Sequence, residues 1–219
     1  MSGPDIYERP LVLPVQYPES DGMPLAETDA HATQMAEIFH ALRARYHDRP
    51  DVYVAMDNII YYEEGEPKKW VSPDLYVVLG IPKRLRRVYK MWEEGRPPDV
   101  VFEVSSKGTK AEDLGSKQGL YAYLGVSEYF LVDPLGEYLD PPVQGMRLGA
   151  DGYARMIGEP VSEKLGLVLR HTGSEMRLVE RATGRVLPTM MEDHVRAARA
   201  EAAEREVALL KDEIERLKR

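Results

Sequence analysis

Acidic residues in two predicted strands, followed by a predicted helix with a lysine, are the strongest candidates for chemistry in this sequence. Asp74 lies near the start of strand 72–80, and Glu103 lies within the valine-rich strand 97–106. A carboxylate flanked by valines within a strand is costly to bury unless it is paired, hydrogen-bonded or bound to a cation. Mg²⁺ suits such a position because it takes carboxylate, carbonyl and water oxygens as ligands. The pattern therefore indicates an acidic metal site.

The alternation of side chains along strand 97–106 assigns Glu103 to one of its two faces. Ser105 shares that face, and so does Asp99, which we expect to open the strand rather than to serve the site. The opposite face is apolar, and we expect it to point into the hydrophobic core. Its members are Val100, Phe102 and Val104.

The elements that would position these residues are an opening helix, three strands, a second helix and a fourth strand. Apolar residues recur at helical spacing in the first and fifth of them, and β-branched and aromatic residues dominate the others. Shorter strands over 135–188 are expected to extend the same sheet. The order predicts an α/β fold with a mixed central sheet flanked by helices. The predicted elements are a helix over 28–46, strands over 52–62, 72–80 and 97–106, a helix over 111–124 and a strand over 128–134.

Composition divides the chain into three parts. Residues 1–27 are rich in proline and read as an extended arm, and 28–190 form the principal domain. Residues 191–219 predict a C-terminal helix with apolar residues spaced three and four apart, the pattern of a coiled coil. We expect this helix to join two copies of the chain into a homodimer, with packing on its own domain as the alternative. The apolar residues are Val207, Leu210, Ile214 and Leu217.

Composition also excludes several classes of protein. The chain has no cysteine, which removes disulfides, thiolate catalysis and Cys-based zinc sites and favours a cytoplasmic protein. It contains no HExxH, GxGxxG or GxSxG motif, so zinc hydrolases, dinucleotide enzymes and serine hydrolases receive no support. No stretch predicts a membrane span. The net charge of −8 argues against general affinity for nucleic acid but leaves room for a local basic patch.

Such a patch is a candidate between the second and third predicted strands. Six basic residues there face two acidic ones, Glu93 and Glu94, which leaves a net charge of +4 (six minus two). They could be solvated loop charges, or they could clamp a phosphate backbone while Tyr89 or Trp92 stacks on a base. The basic residues are Lys83, Arg84, Arg86, Arg87, Lys90 and Arg96.

The ordered series of motifs resembles the Uma-two family of restriction endonuclease-like proteins, which belongs to the PD-(D/E)XK nuclease superfamily. The segments SPDLYVVLG, PPDVVFEVSS, EDLGSKQGLYAYLGV and SEYFLVDP carry the resemblance, which covers about residues 29–134. It implies a restriction-endonuclease-like fold, in agreement with the mixed sheet expected from the strand order. It also implies hydrolysis of phosphodiester bonds with Mg²⁺, or with Mn²⁺ in its place, and DNA as the partner.

The same resemblance implies a role for particular residues. Asp74 takes the aspartate position of the PD element, and Glu103 takes the acidic position of the (D/E)XK element. These two carboxylates and the carbonyl of Val104 would hold the metal. Ser105 occupies the position of the superfamily lysine, where it could hydrogen-bond a metal-bound water. Lys117 of the following helix would replace that lysine, by positioning the attacking water or offsetting negative charge.

Some residues near the expected site also have a structural interpretation. Lys107 is a weaker substitute for the missing lysine, because the strand is ending there. Asp113 and Lys117 are four residues apart on a predicted helix and could form a surface ion pair. His31 and Glu37 of the first helix could border the site, although structural roles are favoured for both.

Three functions remain open at this point. The first is a metal-dependent endonuclease. The second is a nuclease fold that has lost catalysis and binds a partner, which the serine at position 105 and the acidic composition favour. The third is an assembly protein that oligomerises through residues 191–219.

Overall fold

The chain folds as a mixed α/β protein, seen in a computed structural model that describes residues 15–20, 22 and 28–218. The helices are α1 (Asp29–Arg45), α2 (Met91–Glu94), α3 (Lys110–Asp113), α4 (Ser116–Leu124) and α5 (Met190–Leu217). The strands are β1 (Val52–Met56), β2 (Ile60–Tyr61), β3 (Trp70–Val71), β4 (Leu75–Leu79), β5 (Tyr89–Lys90), β6 (Val100–Val104), β7 (Glu128–Val132), β8 (Val143–Gly149), β9 (Gly152–Arg155), β10 (Val161–Ser162), β11 (Leu167–His171) and β12 (Met176–Glu180).

Six strands form the central sheet, in the order β1-β4-β6-β7-β8-β9. Strands β6 and β7 run parallel, and the other neighbouring pairs run antiparallel. The parallel pair requires a crossover connection, which α3 and α4 provide. The structure thus confirms a restriction-endonuclease-like mixed central sheet flanked by helices, and it places β6 in the interior of that sheet.

Each face of the central sheet is covered by a separate layer. On one face, α1 and the strands β11 and β12 enclose a core that includes Phe102 and Val104 of β6. On the other face, α4 and the short strands β2 and β5 enclose a second core that includes Val101. The apolar face of β6 was therefore correctly predicted, and Glu103 lies on the face that α4 covers. Because both faces are buried, any charged group on β6 must find its partners within the protein.

Strands β10, β11 and β12 form a separate antiparallel sheet that α1 holds in place. The side-chain amide of Gln34 donates to the carbonyl of Met176 at 3.0 Å and accepts from its amide nitrogen at 2.6 Å. Arg45 donates to Glu180 at 2.6 Å. The expectation that residues 135–188 extend the central sheet is correct for β8 and β9 but wrong for these three strands.

Two predicted elements are interrupted by backbone that departs from their geometry. The strand predicted over 52–62 breaks at Asp57, whose φ of 46° is left-handed, and the chain leaves the central sheet there. The helix predicted over 111–124 breaks at Gly115, where an added Cβ would lie 3.0 Å from the carbonyl oxygen of Ala111. The result is two short helices, α3 and α4, in place of one continuous helix.

Part of the predicted N-terminal arm lies on the domain. Tyr17 contacts the ring of Tyr61 edge-on at 4.9 Å between centroids, and it also packs against Trp92 at 5.4 Å. The hydroxyl of Tyr61 donates to the carbonyl of Pro18 at 2.6 Å. Most of the remaining arm, residues 1–14, 21 and 23–27, lies outside the described residues.

The C-terminal segment is a single helix, α5, that begins with a capping box formed by Thr189 and Glu192. Its first turns contact α1, where Asp193 accepts from His40 at 2.9 Å and Glu37 accepts from the amide of Met190 at 2.8 Å. Glu37 is thus a structural residue. Within the described part of the chain, no helix is long and apolar enough to cross a membrane.

Gly145 of β8 lies where the central sheet packs too closely on its neighbours to admit a side chain. An added Cβ would lie 2.6 Å from the sulfur of Met156, 2.9 Å from Pro160 and 3.0 Å from the ring of Phe130. We therefore expect Gly145→Ala to lower the free energy of unfolding by about 1–3 kcal/mol in urea denaturation. Gly149→Ala in the same strand is the control, since its nearest neighbour would be 3.7 Å away. Equal stability of the two variants would contradict this packing.

Candidate active site

The register of the central sheet brings Asp74 next to Glu103. Leu75 pairs with Phe102 in the antiparallel ladder between β4 and β6, so the preceding residue, Asp74, lies opposite Glu103. The amide of Asp74 is 3.4 Å from Oε2 of Glu103, and the amide of Val104 donates to Oδ2 of Asp74 at 2.6 Å. The two carboxyl groups predicted from the sequence are thus neighbours at the edge where β4 begins and β6 ends.

Glu103 is almost fully buried, with 1% of its surface exposed, and each of its oxygens has a partner. Oε2 accepts from Nζ of Lys117 at 3.0 Å, and Oε1 accepts from the hydroxyl of Tyr121 at 2.6 Å. Burial raises the pKa of the Glu103 carboxyl group well above its usual range, Lys117 offsets part of that rise, and the nearby carboxyl groups of Asp74 and Asp113 add to it. The Glu103 carboxyl group therefore holds its proton more strongly than an exposed glutamate does, even with the Lys117 ammonium beside it.

Lys117, in the first turn of α4, places a positive charge beside Glu103. Its ammonium lies 3.0 Å from an oxygen of Glu103 and 3.0 Å from Oδ1 of Asp113. Although burial lowers the pKa of Lys117, the surrounding carboxyl groups of Glu103, Asp113 and Asp74 raise it by more, so Lys117 remains an ammonium ion. Glu103 and Asp113 thus share one lysine, and Asp74 lies beside Glu103 with His31 as its own partner.

Asp113 forms the ion pair with Lys117 that the sequence offered as a structural possibility, but the pair is not at the surface, because only 1% of Asp113 is exposed. Ser105 donates to Oδ2 of Asp113 at 3.0 Å, and the hydroxyl of Tyr129 donates to its backbone carbonyl at 2.9 Å. The break at Gly115 separates α3, which carries Asp113, from α4, which carries Lys117. Ser105 is therefore directed at Asp113, a contact that sequence reasoning missed.

His31 contacts the site from α1. Its Nε2 lies 3.2 Å from Oδ2 of Asp74, and Thr28 caps the helix by accepting from the amide of His31. The residue is 6% exposed, and its Nδ1 has no hydrogen-bond partner among the described residues. A signal for this position existed in the sequence, because His31 precedes Met35 by four residues and so shares the buried face of α1.

The donor set at this edge fits a hard, partly hydrated cation. The described contacts of Asp74 all involve Oδ2 or the backbone, which leaves Oδ1 available on a side chain that is 18% exposed. Within the described residues no three His, Cys, Asp or Glu side chains form a metal-holding group. Mg²⁺ does not require one, since it is commonly bound by one or two carboxylates together with waters and substrate phosphates.

A cavity of about 310 Å³ adjoins the site between the start of α1 and the segments that follow β6 and β7. His31 and Ser105 form part of its wall, and the exposed Lys107 lies at its margin. Asp133, which follows β7, accepts from the amides of Gly136 and Leu139 and so fixes the loop that completes the wall. The cavity thus adjoins the cluster through His31, which contacts Asp74, and through Ser105, which contacts Asp113.

The basic segment between β4 and β6 is largely neutralised within the protein. Glu94 accepts two bonds from Arg86, at 2.7 and 2.8 Å, and one from Arg84 at 2.6 Å. Nζ of Lys83 donates to the carbonyls that end α1, and Tyr89 is fully buried. These contacts favour a structural role for the segment over the phosphate clamp considered from the sequence.

These features define a mixed α/β protein in which two adjacent carboxyl groups and a buried lysine form one cluster. The chain belongs to the Uma2 family, described as "Putative restriction endonuclease", whose model matches residues 15–167. Among solved structures, it is similar to "a putative nuclease belonging to DUF820" from Anabaena variabilis ATCC 29413, at 14% identity and a TM-score of 0.45, over 68% of this chain and 76% of that one. No curated protein matches the chain.

Replacing Lys117 tests the charge balance of the site. Lys117→Met leaves Glu103 and Asp113 buried without their shared cation, so we expect the free energy of unfolding to fall by about 3 kcal/mol at neutral pH. Urea denaturation measures the change. Lys110→Met is the control, because Lys110 lies in α3 but is exposed. Equal stability of the two variants would show that the lysine does not compensate the buried acids.

Proposed function

We propose that this protein is a metal-dependent endonuclease that hydrolyses phosphodiester bonds of DNA. The observation that carries the proposal is the buried cluster of Asp74, Glu103 and Lys117, in which carboxylates from adjacent strands meet a lysine from the crossover helix. Membership in a family described as restriction endonucleases supports the same reaction. Burial raises the pKa of the Glu103 carboxyl group, and a divalent cation beside it would stabilise its ionised form.

Asp74, Glu103 and the carbonyl of Val104 are the groups that would hold Mg²⁺, or Mn²⁺ in its place. Such an ion lowers the pKa of a bound water and stabilises negative charge on a phosphate. Carboxylate and carbonyl oxygens suit these two hard cations better than they suit soft metals. The protein contributes a pair of carboxylates whose orientation is already fixed by hydrogen bonds.

Other residues around the two carboxyl groups would each have a distinct role in the reaction. Lys117 is the group that would orient the attacking water or stabilise negative charge on the phosphate, since it remains an ammonium ion beside Glu103. Ser105, which was expected to act directly, would instead be a positioning residue, because its hydroxyl holds Asp113 and Asp113 holds the lysine. His31 and Tyr121 would orient Asp74 and Glu103 in the same indirect manner.

A binding module that has lost catalysis is the second candidate. The serine at position 105, the net charge of −8 and the internal pairing of the basic segment favour it. Both candidates are compatible with a homodimer joined through α5, which we propose as the assembled form. Cleavage of DNA distinguishes them.

The test is a cleavage assay on supercoiled plasmid, linear duplex and single-stranded DNA, with Mg²⁺ or Mn²⁺ present or removed by a chelator. We expect cleavage by the parent protein that requires the metal. Asp74→Asn and Glu103→Gln should each reduce the rate by about 100-fold or more, the usual effect of removing one group that stabilises a transition state. Asp48→Asn is the matched control, because its side chain is 99% exposed and lies far from the cluster in sequence.

Each outcome has a definite meaning, provided that circular dichroism shows all variants to be folded. Cleavage that survives in Glu103→Gln at the parental rate would refute the proposed site. DNA binding by the parent without cleavage under any metal condition would establish the binding module. Cleavage of RNA in place of DNA would retain the site but change the substrate.

A further inference from the structure

Most of α5 is exposed and packs on no other part of the described chain. Every residue over 194–218 is exposed, whereas the beginning of the helix is held by Asp193 and by Glu192, which accepts from Arg177 at 2.7 Å. A free helix of this length is marginally stable in water, because most helical stability in proteins comes from packing of an apolar face. Residues 194–218 therefore lack a partner within the described part of the chain.

The exposed segment carries the apolar pattern of a two-stranded coiled coil. Val207 and Ile214 occupy the a positions of a heptad, Leu210 and Leu217 occupy the d positions, and all four are at least half exposed. Branched Val and Ile at a with Leu at d favour a parallel dimer over trimers and tetramers. One heptad earlier, the same positions hold alanines, which continue the seam with small residues.

The charged residues that flank this seam specify the direction of the partner. Glu206 and Glu213 occupy g positions, and Lys211 and Lys218 occupy e positions. In a parallel dimer, each g residue faces the e residue of the next heptad in the other helix, so Glu206 meets Lys211 and Glu213 meets Lys218. In an antiparallel dimer, g faces g, which would place Glu206 against Glu213 of the other helix, a repulsive pair of like charges.

We propose that residues 200–218 form a parallel, in-register, two-stranded coiled coil with the same residues of a second copy of this chain. The inference specifies the dimer of the proposed function and rests on that dimer, but it does not depend on catalysis. A parallel coil places both domains at the same end of the stalk. Two active sites of the proposed nuclease would then face one DNA molecule together.

Cysteine pairing tests the direction directly, because the chain contains no cysteine of its own. Ala203→Cys and Leu217→Cys both lie at d positions, and Arg205→Cys lies at f on the outer face. In a glutathione redox buffer without metal or DNA, we expect each d variant to form a disulfide-linked dimer with itself. Arg205→Cys should remain unlinked, because disulfides require Cα atoms within about 7 Å of each other.

Mixing the two d variants, one of them carrying a size tag, separates the possible directions. The parallel coil predicts dimers that link 203 to 203 and 217 to 217, and none that link 203 to 217, since these positions are about 21 Å apart along the helix. Predominance of the 203-to-217 linkage would overturn the proposal in favour of an antiparallel pair. Absence of any linkage would overturn it in favour of a helix that does not self-associate.

Charge reversal tests the flanking pairs independently. We expect Glu206→Lys with Glu213→Lys to weaken self-association at least 10-fold in sedimentation equilibrium, and Lys211→Glu with Lys218→Glu to do the same. An equimolar mixture of the two double variants should recover dimers, because every facing pair is again opposite in charge. Double variants that associate as tightly as the parent would overturn the proposal. Cleavage activity is not measured here, so a failure of the coiled coil is distinct from a failure of the proposed nuclease.

Discussion

The burial of Glu103 within the central sheet is the constraint on which the candidate site depends. A carboxylate on an interior strand, with both faces of the sheet covered, loses its hydration and must be compensated inside the protein. The compensation comes from an ammonium and a phenol of α4 and from a backbone amide beside β4. The relative positions of β4, β6 and α4 are therefore linked through one side chain.

That linkage accounts for the irregular crossover between β6 and β7. A continuous helix would place Asp113 and Lys117 on one helical face, where they could pair with each other in solvent. The break at Gly115 allows α3 to bury Asp113 beneath Ser105 and Tyr129 while α4 directs Lys117 at Glu103. Because the lysine contacts both acids, the two short helices and the central strand form one electrostatic unit.

A group of this kind is weak evidence for stability. A buried ion pair repays the loss of hydration only when its geometry and hydrogen bonds are good, and well-packed apolar residues of similar volume are often at least as stable. Here one lysine contacts both Glu103 and Asp113, and the pKa of Glu103 remains above its usual range, next to the cavity that His31 and Ser105 line. Perturbed acids and bases in a cleft are typical of functional sites, and this is the physical reason to regard the cluster as one.

Much of this site follows from the sequence, because alternation along β6 predicts which face Glu103 occupies and the resemblance indicates Asp74 and Lys117 as its neighbours. The remainder depends on tertiary contacts that local patterns do not contain. The left-handed backbone at Asp57 redirects a valine-rich and tyrosine-rich run into another sheet. Likewise, charge counting suggests a basic patch, whereas Arg86 pairs with Glu94 of the same segment and Arg87 pairs with Glu19, which is distant in sequence.

The most direct test of the account is a calorimetric titration of Mn²⁺ into the parent protein and Glu103→Gln, with Asp48→Asn as the control. If the carboxylates of Asp74 and Glu103 hold the cation together, the parent and the control bind Mn²⁺ with equal affinity. Glu103→Gln should then bind at least about 10-fold more weakly, in line with the usual effect of altering groups at a metal site. Equal affinity of Glu103→Gln and the parent would contradict the central claim that the buried acid of β6 belongs to a metal site.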